Sequence, residues 1–517
     1  MAEEASSNGP ASQNEWQAKA RSQMLQFYDS LEKRVKRYRP DVYAPYMARR
    51  LRECLTTPNK FTQTPPHRIL HSIEANCAYH RSGYDEHIDF NGMARIMNVY
   101  YDYPDPLQMS MVHESLDRLF LVMRREQIEL QIGVSKSQLA GIWQLFVADD
   151  PLSETARAFE AQHGLSIRQW IQLCFLSWRL VMDRPEGDWS AEPIVKWDGY
   201  QGTSDAVQAF LSHSSRSVEE IGADFRNIRQ QLHPIYHCLI RSAFLQTPLM
   251  RLDDARIIAP HPHLIFRHAQ DGLYRLAQPL PSFDSEFSKS FERYIRTVLS
   301  SCQRVDKFFG EKDLKRVCRT KNCDFLLEMS DAIILVECKA CAYTVRLFTD
   351  TAILSHNSTK KVAEGLTQLY HVAKDVEDGT LQELGIDCHK PIMGIVVTFG
   401  DIPSANSDWY FQRFFLQRAS TKLDSSIYPS SCMKRRPIVI SADVLQQLVE
   451  VLNSLQISPL ALYDEKESEN YLIAGDWGPF LGRKIASLDR DKSGLPFVTD
   501  HINQFLQSFG VDSELPT

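Results

Sequence analysis

Asp324, Glu337 and Lys339 are the residues whose types and spacing could do chemistry, in the stretch KNCDFLLEMSDAIILVECKA at residues 321–340. Two apolar runs flank Met329, Ser330 and Asp331, a length and composition suited to a hairpin loop. With that turn as the pivot, Asp324 falls opposite Val336 or Glu337, and directly opposed residues on one face sit about 4.5–5.5 Å apart. Period-two alternation puts Glu337 and Lys339 on one face and Cys338 on the other. Adjacent carboxylates repel and lose hydration on burial, so the cluster is costly without a compensating cation. Asp324 and Glu337 offer hard oxygen ligands suited to Mg2+, with Mn2+ able to substitute. A metal-bound water is a better nucleophile, and the ion offsets charge developing on a phosphoryl group. Lys339, a compact point charge, can orient that water or balance the charge.

Such a set must be held by a regular scaffold. From residue 283 on, the pattern predicts a helix (285–301), two strands (323–328 and 333–340) and a second helix (360–376). Two further strands (392–399 and 437–441) and a closing helix (443–452) follow. Alternating strands and helices indicate an α/β sandwich with a mixed sheet. Upstream, residues 1–13 read as a flexible tail, and residues 14–246 as an all-helical domain. Its first helix, 14–38, carries Met24, Phe27, Leu31 and Val35 on one face. Further helices are expected at 46–54, 113–125, 166–182 and 217–245. Pro248, Pro260, Pro262 and Pro279 mark residues 247–282 as a linker with short strands, 263–267 among them. Residues 456–517 form a C-terminal extension without an assigned role. The fold class expected is α+β and multidomain.

Asp324 followed by Glu337-Cys338-Lys339 on consecutive strands resembles the PD-(D/E)XK nuclease superfamily, with Cys323 where the family name has proline. The upstream FSKSFERYIRTVL resembles the helix that precedes the hairpin in many members, and Glu292 takes the place of its acidic residue. The resemblance covers roughly residues 283–452 and implies a nuclease domain of restriction-endonuclease-like fold at 283–455. It further implies Glu292 as a third metal ligand beside Asp324 and Glu337. Gln368, on a helical stripe with Lys361, Glu364 and His371, matches the polar residue that many members bring to the scissile phosphate. The implied activity is Mg2+-dependent hydrolysis of nucleic acid, DNA before RNA and endonucleolytic, in microbial genome defence or DNA processing. The helical domain would then serve recognition or regulation, through a protein partner or trigger. The competing reading is a non-cleaving nucleic-acid-binding or protein-interaction module built on an inactive copy of the fold.

The net charge of −7 confines any nucleic-acid contact to local patches. Between residues 304 and 321 seven basic residues face three acidic ones, and Lys315, Arg316, Arg319 and Lys321, with Lys360 and Lys361, are the candidate phosphate contacts. Lys434, Arg435 and Arg436 add charge beside the last strand. Cys318, Cys323, Cys338 and Cys341 match no usual cluster or zinc spacing, and His261, His263 and His268 read as ordinary loop residues. Eleven cysteines without scaffold spacing suggest reduced thiols and a cytoplasmic location. Residues 1–13 lack the features of a signal peptide, and no stretch of about 18 apolar residues predicts a membrane span. A homo-oligomer is compatible with the sequence, which does not specify one.

Overall fold

The computed structural model describes residues 10–56, 66–84, 86–103, 136–183, 188–189, 202–231, 242–253, 256–319, 321–342, 356–402, 405–423, 433–469, 476–488 and 495–509. The chain is α+β and mostly helical, with two mixed sheets. It divides into two compact units, residues 1–134 with 156–280 and residues 135–155 with 281–517.

The second unit is built on a five-stranded sheet of β5 (Val305–Gly310), β6 (Phe325–Met329), β7 (Ile333–Lys339), β8 (Ile392–Thr398) and β9 (Ile438–Ser441), in that spatial order. The pairings β5–β6 and β6–β7 are antiparallel, whereas β7–β8 and β8–β9 are parallel. Every residue of β6 and β8 is buried. Central strands covered on both faces need no polar alternation, and this explains the near-continuous apolar runs. A parallel neighbour demands a crossover, supplied between β7 and β8 by helix Asn357–Glu377. Its Val362, Leu366, Leu369 and Val376 pack with Leu326, Leu335 and Val396 of the sheet. Burying such a side chain contributes roughly 1.5–3 kcal/mol.

Helix Phe283–Ser300 leads into β5, and its Phe283, Phe287, Phe291, Ile295 and Val298 recur at helical spacing and are buried. Phe287 meets Phe399, just past β8, with ring centroids 5.0 Å apart. Helix Lys136–Phe146 belongs to this unit, where Phe146 stacks on Phe287 at 5.4 Å. Gly141 makes the approach possible, since a Cβ there would stand 2.7 Å from the Tyr294 hydroxyl. Helix Ala442–Leu455 follows β9, and helices Pro459–Ser468, Trp477–Ala486 and Pro496–Gln507 come after it.

Two features of this unit depart from the sequence expectation. β5 lies between the leading helix and the hairpin, where no strand was expected, and the short helix Glu311–Val317 follows it. In β5 the pattern is masked by Asp306 and Lys307, both exposed on an edge strand whose only partner among the described residues is β6.

The first unit is mostly helical but not wholly so. Beside helices that include Pro10–Val35, Pro40–Thr56, Pro66–Tyr79, Ile167–Asp183 and Val218–Gln231 lies a small sheet in the order β1-β4-β3-β2. Its strands, β1 (Asp188–Trp189), β2 (Ser215–Ser217), β3 (Leu249–Arg251) and β4 (Ile257–Ile258), are too short to show period-two alternation. The expected strand at 263–267 is instead the helix Pro262–Arg267, whose proline at the first helical position is pre-set for a helix start. His263 lies in that helix and His268 in the π turn after it, so these are not loop residues. The first helix starts at Pro10, inside the expected tail. Of the expected helix 217–245, Val218–Gln231 is helical and Ala243–Leu245 is a 3-10 turn; residues 232–241 lie outside the described ones, as does the expected helix at 113–125. Among the described residues no helix is long and apolar enough to cross a membrane.

Candidate active site

Antiparallel pairing of Phe325 with Val336 sets Asp324, one residue before β6, across from Glu337 on β7. The Cys338 backbone N–H donates to Asp324 Oδ2 at 2.7 Å, fixing the carboxylate against the partner strand. Lys339, two residues beyond Glu337, donates from Nζ to Glu337 Oε1 at 2.6 Å and to Gln368 Oε1 at 2.8 Å. Gln368 Nε2 in turn donates to the Asn322 carbonyl at 3.2 Å. The crossover helix is thereby tied to the segment that leads into Asp324. Gly365, three residues before Gln368, lets the helix close on the site: a Cβ there would meet Glu337 Cγ and Lys339 Cε, each at 3.2 Å.

Glu337 is 2% exposed, yet its Oε2 has no hydrogen-bond partner among the described residues. Burial first and the Asp324 charge second push its pKa up to about 8, while Lys339 acts the other way. Burial also raises Asp324, opposed by the Cys338 N–H and by Lys339. Glu292, on the leading helix and half-buried, is raised by burial and then by the charges of Asp324 and Glu311. The Asp324 charge is thus felt by both Glu337 and Glu292. That does not make the three a ligand set: among the described residues no three His, Cys, Asp or Glu side chains form a group that could hold a metal. Asp324, Glu337, Lys339 and Gln368 are brought together; Glu292 stays in electrostatic reach only.

No protein-family model, curated protein or solved structure matches the chain. What the site can do must follow from its own atoms.

The basic candidates divide into two groups. Lys315 is paired with Glu311 at 2.6 Å, and Arg319 with Asp378 at 3.0 Å. Arg316, Lys321 and Lys360 are exposed, Lys361 is half-buried, and none of the four side chains forms an ion pair with a described residue. Arg435 and Arg436 are committed to Asp464 and Asp408. Cys323 and Cys338 carry thiols whose pKa burial raises, with no gathered set of ligands around them.

Two residues near the site escaped the sequence reading. Glu311 opens the short helix after β5, accepts from Lys315 and from Asn322 Nδ2 at 3.4 Å, and raises both Asp324 and Glu292. Asn322 anchors Gln368 through its carbonyl. A charge count over residues 304–321 includes Glu311 but cannot place it, because its position depends on the unforeseen β5.

Proposed function

We propose that this chain is a metal-dependent nuclease of the PD-(D/E)XK type that hydrolyses phosphodiester bonds, with DNA as the expected substrate and Mg2+ as the expected ion. The observation that carries the proposal is Glu337: a buried carboxylate with one oxygen unpartnered, facing Asp324 and touching Lys339. Neutral hydrogen-bond donors would have satisfied that oxygen at little cost. A hard cation fits it better, because Mg2+ is commonly held by one or two carboxylates with water completing its shell. Asp324 and Glu337 would hold the ion, which makes a third protein ligand unnecessary. When bound, it supplies Lewis acidity toward a phosphoryl oxygen and toward water.

The remaining work belongs to the chain. Asp324 is kept in place by the Cys338 N–H, so it need not reorganise on binding. Lys339 uses two of its three N–H groups on Glu337 and Gln368. The third is left for a substrate oxygen or the attacking water, and a pre-positioned charge of this kind stabilises a transition state more than a ground state. Gln368 orients Lys339 through its Oε1 and holds the Asn322 carbonyl through its Nε2.

The test is incubation of the purified protein with plasmid, linear duplex, single-stranded DNA and RNA, in Mg2+ or in EDTA. Cutting is expected in Mg2+ alone. Lys339→Ala should keep Mg2+ binding by calorimetry and lose on the order of a hundredfold or more in rate, whereas Asp324→Ala should lose the ion as well. Wild-type cutting by Lys339→Ala would transfer support to the non-cleaving interaction reading.

A further inference from the structure

We infer that Arg296 is a phosphate-backbone contact of the nucleic-acid substrate, flanking the site on the side of the leading helix. The inference rests on the nuclease reading and names a binding residue outside the set Asp324, Glu337, Lys339 and Gln368. Arg296 lies one helical turn beyond Glu292, and its charge is felt there, where it opposes the rise in the Glu292 pKa. It is exposed. Its guanidinium carbon stands 5.0 Å from the Phe325 ring centroid and 5.7 Å from that of Phe308. Phe325 is the residue next to Asp324, and Gly310 is its register partner on β5. A Cβ on Gly310 would come within 2.6 Å of an Arg296 guanidinium nitrogen. The glycine therefore leaves the space that the guanidinium occupies.

The charge so placed is unspent. Arg296 forms no hydrogen bond or ion pair with a described residue, although Glu292 is one turn away on the same helix. A guanidinium lying over aromatic rings keeps its N–H edge available, and that planar fork matches a phosphate in bidentate fashion. Stacking also lowers the conformational freedom that binding would remove. The bland alternative is a long side chain that merely covers Phe308 and Phe325 with its stem. The two differ in what an ammonium can replace: lysine covers the rings but lacks the fork.

Four proteins separate them: wild type, Arg296→Ala, Arg296→Lys and Gly310→Ala. Gly310 has an ordinary extended backbone and its clash is with the far end of a flexible side chain, so Gly310→Ala should displace the guanidinium while the fold stays intact. Duplex DNA binding in EDTA is read by fluorescence anisotropy across a salt series, cleavage kinetics in Mg2+, and melting for each protein. Arg296→Ala and Gly310→Ala should weaken binding and raise KM by about tenfold, with a smaller effect on kcat, and Arg296→Lys should recover only part. The slope of log affinity against log salt should fall by about 0.9 for the lost contact. An unchanged KM and salt slope in Arg296→Ala, with wild type cutting normally, overturns the inference and leaves the nuclease reading standing. A wild type that neither binds nor cuts nucleic acid overturns that reading, and the inference with it.

Discussion

Glu337 holds one oxygen against Lys339 and leaves the other unmatched, while burial first and the Asp324 charge second raise its proton affinity. Its pKa rises from an ordinary 4.5 to about 8. Between those values the folded protein binds more protons than the unfolded chain, so stability is lost as pH rises through this window. In EDTA the melting temperature of the second unit should fall from pH 5 to pH 8. Glu337→Gln, which cannot ionise, should flatten the fall and melt several degrees above wild type at pH 8, with about 2–4 °C for each kcal/mol relieved. Because a cation must displace the proton, Mg2+ affinity should climb with pH up to about 8. Scanning fluorimetry from pH 5 to 8.5, with and without Mg2+, reads both effects; identical pH profiles for wild type and Glu337→Gln would contradict the assignment.

At the scale of elements, the site depends on how closely the crossover helix approaches β7, and Gly365 sets that distance. With Glu337 Cγ, Lys339 Cε and Val396 Cγ1 all 3.2–3.3 Å from a notional Cβ, alanine forces small shifts and valine forces the helix outward. Gly365→Ala should reduce cleavage modestly. Gly365→Val should separate Gln368 from Lys339, abolish most activity and cost about 1–3 kcal/mol of stability through overpacking; cleavage rates beside denaturant melts check both, and a fully active Gly365→Val would show that the contact is dispensable. The hairpin, the leading helix and the crossover helix were legible in the sequence because each has a strong local signature: apolar runs about Met329–Asp331, the Phe287–Phe291–Ile295 stripe, and Val362, Leu366 and Leu369. So was the convergence of Asp324, Glu337 and Lys339, since register follows from the turn. Gly365, Glu311 and Arg296 were not. Each acquires its meaning from the folded arrangement, and for Glu311 and Arg296 that arrangement depends on β5, whose Asp306 and Lys307 hide the strand. The short strands of the first unit carry too few residues for any periodicity.

At the scale of the whole molecule, the first unit holds a set of histidines that should make it sensitive to acid. His268, 3% exposed, is packed on Trp170 at 5.0 Å and hydrogen-bonded with Ser214, and its pKa falls from 6.5 to about 3, by burial first and then by Arg275 and His213. His163 and His213, 3.3 Å apart between ring nitrogens, are lowered as well. Between pH 6.5 and 3 the unfolded chain binds the extra protons, so stability is lost as pH falls through that range. For His268 alone the loss from pH 7 to pH 5 should be about 2 kcal/mol, and calorimetry of wild type and His268→Gln should show the smaller pH dependence in the variant; equal slopes would mean that His268 is not the group responsible. The second unit draws helix Lys136–Phe146 from a stretch that lies between the two segments of the first. During synthesis this helix leaves the ribosome well before residue 281, and at 5–20 residues per second it waits on the order of ten seconds for its partners. Its Ile142, Trp143 and Phe146, buried in the folded protein, should stand uncovered over that interval, a stretch open to chaperones that the finished protein conceals.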